Sequence, residues 1–258
     1  MILEQRAGHL LVKAYETRKE MGQAAAAEAT QALQDVIAAR GVCNVIFAAA
    51  PSQNEFLDAL CESDVDWSKV NAFHMDEYIG LSEEAPQGFG NFLKRAIFQR
   101  VPFRRVYTIQ GGTADIDGEI ARYSALLQDN PPDLVFMGIG ENGHIAFNDP
   151  HVAHFDDICS MRAVELDETC RRQQVNDGCF AALEQVPTHA LTLTVPTLVS
   201  AARLFCMVPA ATKAEAVGKT VLGEIRETVP ASILRMHPCA TLYIDRDSGR
   251  DVLAAWKV

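Results

Sequence analysis

One stretch constrains the fold of this chain more than any other: Asp133-Leu-Val-Phe-Met-Gly-Ile-Gly-Glu-Asn-Gly-His-Ile-Ala-Phe-Asn-Asp-Pro150. Residues 134–137 form a short apolar run rich in β-formers, and the run stops at Gly138, Gly140 and Gly143. A short run with no polar alternation reads as a strand buried on both faces. Glu141, Asn142, His144, Asn148 and Asp149 crowd immediately behind it. Open α/β sheets bind their ligands at the carboxyl ends of their strands, and this is how a buried strand delivers polar groups there. A loop that only turned the chain would have little use for so many ionisable and amide groups.

Strand and helix signals alternate along the rest of the chain. Strands are predicted over 10–15, 43–48, 70–74, 106–108, 161–166, 189–195, 203–208 and 240–244. Helices are predicted over 17–40, from 54 onward, and over 89–99, 115–128, 213–222, 232–236 and 252–256. Thr17 supplies an N-cap, Ala24 to Ala27 supply helix propensity, and Gly41 supplies the stop. Such alternation gives a mostly parallel, Rossmann-like sheet with helices on both faces, a three-layer α/β/α sandwich. No repeat, low-complexity tract or linker divides the 258 residues, so a single domain is expected. The polar segment within 151–186, centred on 168–178, interrupts the pattern and is expected to form a lid.

Composition removes several classes of function. A formal net charge of -11 argues against a nucleic-acid partner or an anionic membrane surface. No run approaches the roughly 18 apolar residues of a membrane span, and no secretory pattern opens the chain, so a cytoplasmic location is expected. The seven cysteines include no Cys-x-x-Cys pair and read as reduced, structural thiols. His151, His154, Asp156 and Asp157 match no zinc spacing and read as a solvated loop, so no metal is expected. No Gly-x-x-x-x-Gly-Lys-Ser/Thr loop is present, and Gly138-Ile-Gly140-Glu-Asn-Gly143 has an imperfect dinucleotide spacing, so no nucleotide cofactor is expected either.

Three further strand ends carry candidate groups. Ala49-Ala-Pro-Ser-Gln53 lies between a strand and a helix, where Ser52 and backbone N–H groups suit a phosphate, or where Ser52 is only a cap. Asp76 and Glu77 follow the strand over 70–74; a solvated carboxylate pair is the plain alternative. Lys213 falls in the first turn of a helix, where a cation opposes the helix dipole. That placement suits a lysine that holds an anion, although a surface lysine with its stem laid on the protein would do the same.

Four motifs, Phe73-His-Met-Asp-Glu-Tyr-Ile-Gly-Leu81, Met137-Gly-Ile-Gly-Glu-Asn-Gly-His-Ile-Ala-Phe-Asn-Asp-Pro150, Val186-Pro-Thr-His-Ala-Leu-Thr192 and His237-Pro238, resemble the glucosamine-6-phosphate deaminase family in order and separation. The resemblance implies aldose–ketose isomerisation with loss of ammonia, converting glucosamine 6-phosphate to fructose 6-phosphate without metal or organic cofactor. It implies His144 for ring opening, Asp76 as the base at C2, and Asn142 and Asp149 as the groups that orient His144. It further implies a sugar-phosphate site drawn from Ser52, Gln53, Glu77, Gly143, Lys213 and, in place of the family's lid arginine, Arg171 or Arg172. A homo-oligomer is expected from the same resemblance. Two other functions stay open: a 6-phosphogluconolactonase-type hydrolase, disfavoured because Tyr78 and Ile145 to Pro150 depart from that pattern, and a non-catalytic sugar-phosphate sensor.

Overall fold

The computed structural model describes residues 1–257. Its strands are β1 (Leu3–Ala7), β2 (Leu10–Tyr15), β3 (Cys43–Phe47), β4 (Val70–His74), β5 (Asp76–Tyr78), β6 (Arg105–Tyr107), β7 (Leu134–Met137), β8 (Met161–Glu165), β9 (His189–Leu193), β10 (Arg203–Val208) and β11 (Ala240–Asp245). The helices are α1 (Arg18–Arg40), α2 (Asn54–Cys61), α3 (Phe89–Leu93), α4 (Ile116–Asp129), α5 (Glu168–Asn176), α6 (Val195–Val199), α7 (Ala214–Leu222) and α8 (Arg250–Ala255).

Eight strands form one sheet in the order β1-β2-β11-β10-β7-β3-β4-β6, parallel throughout except for the β1–β2 pair. Its central strands are apolar on both faces because helices cover both. Along β7, Val135 and Met137 enter one core while Leu134 and Phe136 enter the other. Leu204, Cys206 and Val208 of β10 likewise alternate with Phe205 and Met207. A run that must satisfy two cores has few polar positions, Asn44 of β3 and Asn71 of β4 being exceptions that hydrogen-bond each other at 2.9 Å, and this is why the expected strands were legible. Between β3 and β7 the strand order reverses, so their carboxyl ends diverge and leave a crevice at the switch point.

The structure departs from the expected pattern in several places, among them Val195, which opens α6 instead of closing the strand expected over 189–195. Strand β1 has no apolar signal because it is an edge strand with three exposed residues. Strands β8 and β9 do not join the main sheet; with β5 they make a separate antiparallel sheet in the order β5-β9-β8. Asp76 therefore sits in a short strand of that second sheet, directly after β4. The helix expected over 89–99 breaks after α3 into a π-helical turn, Lys94–Phe98, and the one over 232–236 is the 3-10 segment Pro230–Met236. Within 151–186 the chain forms β8 and then α5, whose start Asp167 caps by accepting from the Cys170 N–H at 2.6 Å. No helix among the described residues is long and apolar enough to cross a membrane.

Candidate active site

The crevice at the switch point is a cavity of about 60 Å³. Segments following four strands line it: Ala48 to Ser52 after β3, Met75 and Asp76 after β4, Gly138 to His144 after β7, and Lys213 after β10. Gln173 and Gln174 of α5 close one side, and Phe89 and Phe147 another. The sequence reading missed both glutamines. Their signal was present but weak, since two consecutive amides in a polar segment look like any solvated helix.

Asp76 is 6% exposed. Burial, followed by the carboxylate of Glu77 next to it, pushes its pKa well above the ordinary carboxylate range. Such a carboxyl is a stronger base when ionised than one in water.

His144 is presented by a tight loop. The Gly140 N–H donates to the His144 carbonyl at 2.9 Å, the Gly143 N–H to the Gly140 carbonyl at 2.9 Å, and Gly143 itself adopts φ +88°. Ala146 takes φ +49°, a left-handed conformation that is strained outside glycine and here turns the chain back on itself between Ile145 and Asn148.

Behind His144 lies a closed polar network. Asn142 Oδ1 accepts from the backbone N–H of His144 at 3.0 Å and lies 2.8 Å from its Nδ1. Asn142 Nδ2 donates to Asp149 Oδ1 and to Asp167 Oδ2, each at 2.9 Å. Asp149 Oδ1 stands 3.0 Å from His144 Nδ1, and its Oδ2 accepts from the Asp167 N–H at 3.1 Å. Burial alone would raise the Asp149 pKa, but its hydrogen bonds from His144, Asn142 and Asp167 outweigh burial and hold it below the ordinary value. Because both neighbours of Nδ1 are acceptors, that nitrogen carries the ring proton and Nε2 is left free as a base.

Lys213, 5% exposed, stands in the 3-10 turn ahead of α7 and lines the cavity. Burial lowers its pKa, against the opposing pull of Asp177 and Glu141. A buried cation thus lines the same cavity as Ser52, at the start of a helix, a combination whose charge and backbone N–H groups suit an anion.

Several expected ligands lie elsewhere. The Glu77 carboxylate accepts from the N–H groups of Phe89 at 2.9 Å and Gly90 at 2.8 Å, so it caps α3 and faces a neighbouring cavity of about 370 Å³. Gln53 is buried, donating to the Met207 carbonyl at 3.1 Å and to Ser52 Oγ at 3.2 Å; it steadies Ser52 from beneath. Gly143 packs on Val229 and serves the turn. Arg171 donates to the carbonyls of Leu183 and Val186, and Arg172 pairs with Glu168 on the outer face of α5. Neither arginine reaches the cavity. Gln173 and Gln174 line it instead, because with Cys170 they form the i, i+3, i+4 face of α5 that is buried against the protein.

This crevice, with a histidine, a raised carboxyl and a buried lysine at the carboxyl ends of parallel strands, is that of an enzyme of the Rossmann-like class. The chain belongs to the family described as glucosamine-6-phosphate isomerases/6-phosphogluconolactonase, whose model matches residues 16–243. A glucosamine-6-phosphate deaminase of Streptococcus sanguinis (strain SK36) is 34% identical over 210 residues, covering 81% of this chain and 87% of that protein. A solved monomeric glucosamine-6-phosphate deaminase superposes with a TM-score of 0.86 at 27% identity, over 93% of this chain and 99% of that one. A 6-phosphogluconolactonase from Trypanosoma brucei superposes with a TM-score of 0.78 at 13% identity, over 97% of this chain and 100% of the other, and shares the fold.

Proposed function

We propose that the chain is a glucosamine-6-phosphate deaminase, an isomerase that releases ammonia from an amino-sugar phosphate. The observation that carries this reading is that Asp76, His144 and Lys213 line one cavity, which gives a carbon acid's base, a ring-opening group and a phosphate anchor to one substrate. The 34% identical deaminase relative supports the same reaction, and the lactonase likeness extends to the fold alone.

Lys213, Ser52 and the amides of Gln173 and Gln174 would hold the phosphate. The Nε2 of His144 would take the proton of the anomeric hydroxyl and return it to the ring oxygen, opening the pyranose to an aldehyde. Asp76 then removes the C2 proton. Those electrons form the C1–C2 double bond while a proton from solvent, given back when water later adds at C2, goes to the carbonyl oxygen, giving an enolamine. Asp76 returns the proton to C1, which leaves an iminium at C2; water adds there and ammonia departs, leaving the ketose phosphate.

A cavity of about 60 Å³ is well below the roughly 300–1,000 Å³ typical of small-molecule sites. Segment 151–186, with α5 over the crevice and Gly178 in a left-handed conformation at its end, is therefore the part we assign to opening. A monomeric relative means that a homo-oligomer does not follow from family membership.

The decisive experiment measures ammonia and ketose phosphate released from glucosamine 6-phosphate, with galactosamine 6-phosphate and 6-phosphogluconolactone run alongside. Equal amounts of ammonia and fructose 6-phosphate are expected. Hydrolysis of the lactone without ammonia from either amino sugar would overturn the reading.

A further inference from the structure

Directly behind the crevice, three donor atoms of unlike chemistry converge, and the reaction above uses only one of their side chains, His144, with Asp149 standing beside its ring. A ring nitrogen of His144, a carboxylate oxygen of Asp149 and the sulfur of Cys170 all lie within 4.8 Å of one another. All three residues are buried, with exposures of 8%, 0% and 1%. Cys170 occupies the first turn of α5, where Asp167 fixes its backbone N–H, so the sulfur is held toward Asp149 by the same capping that starts the helix. The sequence reading left this cysteine among the structural thiols.

Four-coordinate zinc holds nitrogen, oxygen and sulfur donors at about 2.0–2.3 Å, which sets the donors roughly 3.3–3.8 Å apart. His144 Nδ1 and Asp149 Oδ1 are already 3.0 Å apart. The sulfur needs to close by no more than about 1.5 Å. A mixed nitrogen, carboxylate and thiolate set selects a thiophilic divalent cation over magnesium or calcium.

We propose that His144, Asp149 and Cys170 form a binding site for a thiophilic divalent cation of the Zn²⁺ type, whose occupancy shuts off the enzyme. Binding replaces the thiol proton, which leaves to solvent, and moves the ring proton of His144 from Nδ1 to Nε2. The neutral ring, one carboxylate and one thiolate then balance the two positive charges. Burial, with Asp149 and Asp167 nearby, keeps the thiol protonated while no cation is present, and a coordinated cation reverses that preference. Inhibition follows from the tautomer change, because Nε2, the nitrogen left for the sugar, no longer accepts a proton. The cation site itself does not depend on the deaminase reading; only its effect on turnover does.

The full chain, freed of metal by a chelator, is titrated with Co²⁺ as a probe. One equivalent should produce a thiolate-to-cobalt charge-transfer band that Zn²⁺ bleaches. Cys170→Ser and His144→Gln should each weaken binding at least tenfold, while a Cys159→Ser, Cys239→Ser variant, which removes the two exposed thiols, should keep the band. In the ammonia assay, Zn²⁺ should inhibit the parent chain, a chelator should restore it, and Cys170→Ser should need at least tenfold more Zn²⁺. A band that survives both Cys170→Ser and His144→Gln, or that disappears with Cys159 and Cys239, overturns the site. Absence of ammonia release with the cobalt band intact would count against the deaminase reading and leave the cation site standing.

Discussion

Gly140 and His144 are packed so closely that a β-carbon on Gly140 would stand 2.1 Å from Cε1 of the imidazole and 2.2 Å from Nε2. The Gly140 N–H also holds the His144 carbonyl, so one residue fixes the backbone and seats the ring. Gly140→Ala must push the ring out of line. Because a misplacement of about 1 Å can cost 10²-fold in rate, kcat/KM should fall by about that factor. Circular dichroism should remain that of the folded chain. Near-parent turnover in this variant would mean that the ring position is not critical.

Asp76 links activity to stability. Its folded pKa lies above the value of 3.8 for a free aspartate, so the folded state keeps a proton that the unfolded chain has released. The stability this contributes is complete below pH 3.8 and is lost as pH rises through the folded pKa. Asp76→Asn should therefore melt higher than the parent at neutral pH, by roughly 2–4 °C for each kcal/mol gained, with the difference vanishing in acid. Turnover should drop by about 10²–10⁴. In the parent, the acid limb of the kcat/KM profile should lie above the ordinary carboxylate range.

Lys213→Met removes the one cationic side chain lining the crevice among the described residues. Losing a charged hydrogen bond of about 1.5–3 kcal/mol should raise KM for the sugar phosphate roughly 10- to 100-fold. Thermal stability should hold or rise, since a buried ammonium is replaced by an apolar chain. A KM left unchanged would place the phosphate elsewhere.

Asn142→Asp should impair this chain. The amide donates to Asp149 and Asp167 at once, and a carboxylate there would face two others without a proton to offer. A loss of about 1–3 kcal/mol in urea unfolding, with lower kcat, is expected at neutral pH. The loss should shrink as the pH is lowered and the new carboxyl takes up a proton.

His74 is fully buried, and burial lowers its pKa from 6.5 to about 3. Its Nε2 accepts from the Ile109 N–H at 2.8 Å, which requires the neutral ring. Between about pH 6.5 and 3 the unfolded chain binds a proton that the folded chain refuses, so stability falls as pH falls through that window. Denaturant midpoints from pH 7 to 4 should decline more steeply for the parent than for His74→Gln.

The layered architecture was legible in local pattern, because strands such as β7 and β10 must offer apolar groups to two cores and so read as uninterrupted runs. The sequence by itself also determined that Ser52, Asp76, His144 and Lys213 fall at strand ends, since local pattern locates the end of a strand. Tertiary structure alone decided which groups at those ends face the crevice. Asp76 and Glu77 are adjacent and alike in composition, yet strand alternation sends one carboxylate into the crevice and the other onto the start of α3. Likewise Gln173 and Gln174, rather than Arg171 and Arg172, line the site, because the docking of α5 selects one face of a helix whose residues are mostly polar. The second sheet was hidden for the same reason: β5, β8 and β9 lie far apart in sequence, and pairing between distant strands leaves no local trace.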